Sequence, residues 1–361
     1  MANVLLIVMG FLVSAGSSYA LYRTAAQEID ESFREQFVAL LGLRRDSLTQ
    51  YLESVREEVR FWNKNQIMRE AMVDFSTAFD LLGPGAEAEL QRLYIDENPF
   101  PTGQKDSLER AGDGSRYSDV HYRYHYWLRS FLVHRGVYDV FLFQEDGDLV
   151  YTSFKERDYA TNLNTGVLKD SDLGKALRQA LDNPFPSYVA FFDFAPYPPS
   201  GGDPAAFLAS TILADDGTLL GVLAFQIPSD RINEIMQVRA GMGESGETYA
   251  VGPDLLMRSD SRFSKESTIL ETRVDTVTTR LALDGQEGLQ ITDDYRGVPV
   301  LSAYGPVDFE GVRWAVLAEI DVDEAQAPVY ALRRLWLLAG VLAGPLAFAA
   351  AVLLTARRRR A

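Results

Sequence analysis

The stretch GMGESGETYAVGPDLLMRSD, Gly241 to Asp260, holds Gly241, Gly243 and Gly246 in the spacing G-x-G-x-x-G. That spacing binds a dinucleotide only where a strand enters the glycines and a helix leaves them, because the helix N-terminus holds the pyrophosphate. Here the order is reversed. The segment before it, Pro228–Ala240, places Ile232, Ile235, Met236 and Val238 close to helical spacing, with Ser229 or Asp230 as N-cap. The segment after it reads as two short extended runs around Gly252-Pro253-Asp254. The glycines therefore end a helix and admit a hairpin, and the fold depends on what that hairpin belongs to.

Upstream, VYDVFLFQEDGDLVYTSF (Val137–Phe154) alternates as a hairpin should, with its turn at Glu145-Asp146-Gly147-Asp148. LGKALRQAL (Leu173–Leu181) is helical, and YVAFFDF, AAFLASTIL and LLGVLAFQI read as three strands. The same order recurs after Gly246: the hairpin TYAVGPDLLMRS, the helix VDTVTTRLAL, the strands EGLQITDDY and VPVLSAYGPV around Arg296-Gly297, and RWAVLAEID. This is an architectural duplication of an α+β unit, each copy a five-stranded antiparallel sheet with helices on one face. Ahead of both copies, apolar residues recur at steps of three and four from Tyr22 to about Phe79, predicting one long helix. Gly83–Arg116 shifts to Gly, Pro, Asp and Ser and reads as an exposed, variable connector interrupted by a helical turn at Glu87–Leu93.

Two uncharged runs frame the chain. Ala2–Leu21 has the length of a bilayer core, and Leu335–Ala356 is followed by four arginines at 357–360. The reading is two transmembrane helices, with the basic C-terminal tail cytoplasmic and the segment between them exported. Ser18-Tyr19-Ala20 loosely fits a signal-peptidase site, but no Lys or Arg precedes the apolar run, which favours an uncleaved anchor. Of the 35 basic residues, six are the arginines at 333–334 and 357–360; the other 29 face 51 acidic residues, a net charge of −22 on the exported segment. Such a surface does not bind nucleic acid electrostatically. The chain has no cysteine, so it has neither disulfides nor thiolate chemistry.

The long helix, the tandem α/β units, the phrases GESGETYAVGPDLLMRSDSRF and GTLLGVLAFQIPSDRINEIM, and the closing helix into a second span resemble the double Cache (PAS-like) sensor domains of bacterial chemoreceptors, sensor kinases and cyclases. The resemblance divides the chain into a first span (1–21), the long helix and connector (22–116), a membrane-distal Cache module (117–238), a membrane-proximal one (239–326), a second span (335–356) and a tail (357–361). It implies extracytoplasmic recognition of a small molecule in the distal module, without catalysis or cofactor. It further implies residence in the bacterial inner membrane with the sensor periplasmic and a cytoplasmic signalling module in cis or in trans. The apolar stripe of the long helix, more than the sheet modules cover, predicts a homodimer that pairs through its membrane-proximal half at Phe33 and Phe37. Only five residues follow the second span, so that module is expected in a longer receptor or in a partner.

Small-ligand pockets combine aromatic walls with a few polar groups. The distal segment supplies both in His125, Trp127, Tyr138, Asp139, Tyr151, Ser153, Lys155, Asp193 and Tyr197. Tyr138 and Asp139 are adjacent in a strand and must face opposite sides. Amino-acid-binding members of the family carry an Arg-x-Trp-Tyr element; here it maps to His125-Tyr126-Trp127-Leu128. Imidazole does not replace a bidentate guanidinium, which argues against ordinary α-amino acids as ligands. The alternative reading is a membrane-anchored, exported metal enzyme using His121 and His125, spaced i, i+4, with Asp119 nearby, although Tyr122 stands where a zinc protease motif needs Glu. No metal site is assigned on this reading of the sensor.

Overall fold

The computed structural model describes the backbone of residues 2–358, with side chains described except at 2–8, 133–135, 342–348, 350–351 and 353–358. Helix α1 runs Ala2–Trp62. Its buried stripe of Phe37, Leu41, Leu48, Leu52, Val55 and Val59 lies against both sheets of the molecule, so this one helix carries a continuous core through the structure. The helix does not continue to Phe79 as its periodicity predicts. It stops at Asn63, whose Nδ2 donates to Ser210 Oγ (2.8 Å) and to the Pro186 carbonyl (3.1 Å). Asn65 then caps a new helix, α2 (Gln66–Asp80), by accepting from the Ile67 N–H.

The connector is also more ordered than its composition predicts. It contains α3 (Ala86–Gln91), and Leu90, Leu93, Tyr94, Ile95 and Ala111 are buried in the main core. Asn98 ties its two halves by donating to the Tyr94 and Lys105 carbonyls at 2.8 and 3.1 Å. Helix α4 (Arg116–Arg135) follows, capped by Ser115 and ended by Gly136 at φ 65°.

The first sheet contains β1 (Asp139–Phe143), β2 (Leu149–Thr152), β3 (Ala190–Pro196), β4 (Pro204–Leu213) and β5 (Leu219–Ile227), in the antiparallel order β2-β1-β5-β4-β3. One face, with Val140, Leu142, Leu223 and Phe225, packs on the core shared by α1, α2 and α4. The other, with Phe141, Phe143 and Phe207, packs on α5 (Asp172–Asp182) through Leu173 and Leu177. Helix α6 (Ser229–Met236) leads to the second sheet. That sheet has β6 (Glu247–Val251), β7 (Gly288–Asp293), β8 (Pro299–Phe309) and β9 (Val312–Asp321), ordered β6-β9-β8-β7, with α7 (Val277–Leu283) on the face away from α1. It is four-stranded. The expected second strand of its hairpin makes only isolated bridges, because Leu255 takes φ 68° and turns the chain away after Gly252.

The opening glycine turn is closed by the protein itself. Gly241 and Gly243 adopt φ 81° and 58°. The Glu324 carboxylate in α8 (Val322–Ala325) accepts from the Glu244 and Ser245 N–H groups at 2.8 and 2.7 Å. An internal carboxylate thus takes the anion position that a nucleotide phosphate would need.

Helix α9 (Ala327–Arg358) returns beside α1, where Trp336 stacks on Tyr22 (5.2 Å between ring centres) and donates to Ser18 Oγ (3.0 Å). Among the described residues no helix is long and apolar enough to cross a membrane. The side chains at the beginning of the first expected span and over most of the second, and the whole of 359–361, lie outside what the structure describes.

Candidate functional site

Polar groups concentrate inside the first unit, between α4, the connector and the end of β2. Residues at helical spacing on α4, namely Tyr117, His121 and His125, turn inward. From β2 and the chain after it come Tyr151, Ser153 and Lys155, all fully buried. Lys155 sits at φ 57°, a left-handed conformation that a lysine rarely adopts. Backbone strain of this kind is retained where the surroundings over-determine it, and it clusters at functional sites.

The hydrogen bonds fix both imidazoles. His121 Nδ1 lies 2.6 Å from the Glu109 carbonyl, which can only accept, so Nδ1 bears the proton and Nε2 is left with a bare lone pair. His125 has the opposite tautomer: Nε2–H donates to the Asp106 carbonyl (2.7 Å), and Nδ1 accepts from the Tyr151 hydroxyl (2.7 Å). Burial, followed by the charge of Lys155, holds both rings well below their ordinary pKa, so both are neutral. Lys155 Nζ donates to the Ser153 carbonyl (2.9 Å) and stands 3.5 Å from His125 Nε2; burial pushes its pKa down to about 7.

Three fully buried side chains here keep an atom with no hydrogen-bond partner: His121 Nε2, Ser153 Oγ and Asp158 Oδ1. Buried polar atoms in proteins are nearly always paired. His121 Nε2 and Ser153 Oγ belong to the cluster that holds Lys155, whereas Asp158 is tied through Tyr197 to the opposite face of the sheet. Tyr94, Tyr117 and Tyr159 supply the aromatic wall, with Tyr117 and Tyr159 joined hydroxyl to hydroxyl at 2.7 Å and Lys155 Nζ 6.0 Å from the Tyr94 ring centre.

Of the residues expected from sequence, the structure brings His125, Tyr151, Ser153 and Lys155 together. Asp139 borders them: its carboxylate accepts from the Ser153 N–H (2.9 Å) and from Thr152, and burial raises its pKa to about 8. Tyr197 donates to Asp158 Oδ2 (2.6 Å). Tyr138 is half-buried, stacked on Phe154 and bonded to Glu156 (3.1 Å). Trp127 points to α1 and meets Trp62 edge-on at 4.9 Å. Asp193 leaves the unit altogether, forming an ion pair with the buried Arg258 of the second unit at 3.0 Å. Sequence reasoning missed Tyr94, Tyr117, Asp158 and Tyr159, and it missed the connector carbonyls that orient the imidazoles. A buried Tyr94 in a connector is invisible to periodicity.

The histidine pair does not present two lone pairs to a common point. The rings stack 4.3 Å apart, both nitrogens of His125 are committed, and Asp119 is paired with Arg110 outside the cluster. The side chain of His134 lies outside the described residues.

The second unit holds a separate buried network. Glu319 accepts from Tyr249 (2.6 Å) and Ser302 (2.8 Å), and Glu247 accepts from Ser261 (2.7 Å) and Tyr295 (2.8 Å). Burial raises the pKa of Glu319 to about 7. These carboxylates are already met by hydroxyl donors.

No family model and no curated protein matches the chain. Solved structures do. The extracellular domain of a histidine kinase designated vpHK1S-Z8 superposes with a TM-score of 0.50 at 9% identity, over 84% of this chain and 95% of that one. The ligand-binding domain of the Campylobacter jejuni chemoreceptor Tlp3, solved with 4-methylisoleucine, gives 0.47 at 12% identity over 82% and 94%. That of the Pseudomonas fluorescens chemoreceptor CtaA, solved with L-serine, gives 0.36 at 14% over 77% and 99%. These neighbours are sensory domains, and the likeness to double Cache sensors read from the sequence is borne out at the level of fold.

Proposed function

We propose that the chain is the extracytoplasmic sensor of a bacterial membrane receptor, that its membrane-distal unit, 117–238, binds a small polar metabolite, and that it catalyses no reaction. The observation that carries this reading is the pair of buried, unpartnered atoms on His121 and Ser153 in the cluster that holds Lys155. They offer acceptors and an ammonium within one aromatic enclosure, which suits a zwitterionic or hydroxylated molecule. The binding groups are His121, His125, Tyr151, Ser153 and Lys155, with Asp139 holding the Ser153 backbone in place. The proximal unit, 239–326, joins the sensor to the membrane.

Two spans, at 1–21 and 335–356, anchor the sensor in the inner membrane with both ends cytoplasmic, and a cytoplasmic signalling module in cis or in trans receives the signal. In support, Tyr19, Tyr22 and Trp336 cluster where the two helices run together, the residue types that gather at membrane–water interfaces. The chain works as a homodimer through the solvent-facing side of α1, where Val38 and Leu43 are exposed. Phe37, by contrast, is buried in its own core.

The test is a thermal-shift screen of the chain in lipid nanodiscs against a metabolite library, combined with topology reporters at residues 22 and 361. The reading expects a metabolite that raises the melting temperature and a cytoplasmic residue 361. Catalytic turnover of the stabilising compound, or residue 361 outside, would contradict it.

A further inference from the structure

We propose that the cleft where the two sheet units meet is a second binding site, one for a linear aliphatic diamine or polyamine. This cleft, of about 330 Å³, is separate from the histidine–lysine cluster. The first unit contributes Tyr138, Asp203 and Gln226, α6 contributes Asp230, and the loop after β6 contributes Asp260 and Ser267. Every charged group lining it is a carboxylate, and no lysine or arginine lines it. Asp260 is held by Asn233, Ser267 and Thr268, all neutral donors. Asp203 and Asp230 have no ion pair among the described residues.

A second feature points the same way. Gln226 is only 4% exposed, lines the cleft, and its Oε1 has no hydrogen-bond partner. A buried acceptor without a donor costs stability until something supplies an N–H or O–H. The cleft therefore lacks positive charge, and Gln226 Oε1 lacks a donor; an ammonium brings both.

A compact metal ion does not fit this lining. Among the described residues no three His, Asp or Glu side chains converge so as to hold one. The carboxylates share the cleft instead with apolar Pro204, Ile227 and Pro228. A lining that combines non-converging carboxylates with apolar side chains matches ammonium groups on a methylene chain, which gains from both contacts. Because its walls come from both units and from α6 between them, an occupant bridges the two sheets.

The experiment uses the full chain in nanodiscs of uncharged phosphatidylcholine, titrated calorimetrically with spermidine and with 1,4-diaminobutane, and in parallel with 1,4-butanediol and Mg²⁺. The expected result is saturable spermidine binding that weakens about tenfold with Asp203→Asn and again with Asp230→Asn. Gln226→Leu should weaken it severalfold, and Lys155→Met should leave it unchanged. Asp203 and Asp230 are exposed, so their variants keep the fold, which circular dichroism verifies. The proposal is overturned by the absence of saturable heat up to roughly 10 mM amine, by equal binding of the diol, or by displacement of amine by equimolar Mg²⁺. Unchanged affinity in the Asp203→Asn, Asp230→Asn double variant would overturn it too. Loss of amine binding on Lys155→Met alone would place the amine in the distal cluster instead.

Discussion

Replacing Lys155 with methionine changes how stability depends on pH, and the structure sets the size of the change. The ammonium is fully buried, and desolvation lowers its pKa from 10.5 to about 7. At about 1.36 kcal/mol per pH unit, that depression corresponds to roughly 5 kcal/mol. The sign follows from proton counting. Between pH 7 and 10.5 the unfolded chain holds a proton on Lys155 that the native chain does not, so the stability of the native protein rises with pH across that window. Below pH 7 both states are protonated and the full cost of a buried cation is present. The thioether of the Lys155→Met variant carries no charge and has no such cost. The stability advantage of Lys155→Met over the native chain should therefore be greatest near pH 6 and shrink by roughly 3 kcal/mol between pH 7 and about pH 9. The carboxyls of Asp139 and Asp158 titrate in both proteins and largely cancel from the difference. The variant also forfeits the Nζ bond to the Ser153 carbonyl, a pH-independent loss of about 1 kcal/mol. The assay is urea unfolding across pH, followed by tryptophan fluorescence, since Trp62 and Trp127 lie together beside α4. A difference that does not vary with pH would show that the ammonium reaches solvent and that the enclosed cluster is wrongly drawn.

Nitrogen NMR of labelled histidines should find His121 protonated on Nδ1 and His125 on Nε2, both neutral at pH 6.5, where an ordinary imidazole is half protonated, since burial lowers both pKa values; an imidazolium there would contradict the assigned hydrogen bonds. Arg258→Met should destabilise the protein by roughly 3 kcal/mol or more, because it strands Asp193 between the units, and adding Asp193→Asn should recover part of that loss in a double-mutant cycle. A coupling energy near zero would mean that the pair does not join the two units. Gly243→Val should cost about 1–3 kcal/mol, since it forces a β-branched residue to φ 58° and pushes its Cβ into the Glu324 carboxylate. It should leave ATP and NAD binding undetectable in both proteins, and nucleotide binding that Gly243→Val abolishes would reverse the reading of the turn.

What the sequence made legible was local. The hairpin of Val137–Phe154 shows in its alternation and its Asp-Gly turn, and the glycines of Gly241–Gly246 are readable because what precedes them is helical. The break at Asn63 was hidden because Val59 and Trp62 keep the helical spacing, while the reason for stopping, a bond to Ser210, comes from a strand far along the chain. The missing fifth strand of the second sheet was hidden likewise, since Leu255 carries no signal for a left-handed backbone. At the candidate site, residue types pointed to the right segment, but partners are set by tertiary packing. Tyr151 meets His125 across 26 positions, and Asp193, which suits Lys155 on paper, is taken by Arg258. The orienting carbonyls of Asp106 and Glu109 have no side-chain identity to read at all.

The measurement that tests the central claim most directly is the affinity of a ligand found by thermal shift for two pairs of variants, one in each unit. If the ligand lies in the distal cluster, His121→Leu and Lys155→Met should each weaken it by about tenfold or more, the loss of one charge-assisted or buried hydrogen bond. Glu247→Gln and Glu319→Gln, in the network already met by tyrosine and serine hydroxyls, should leave it nearly unchanged. Affinity that follows the two glutamates and ignores His121 and Lys155 would place recognition in the membrane-proximal unit and contradict the account.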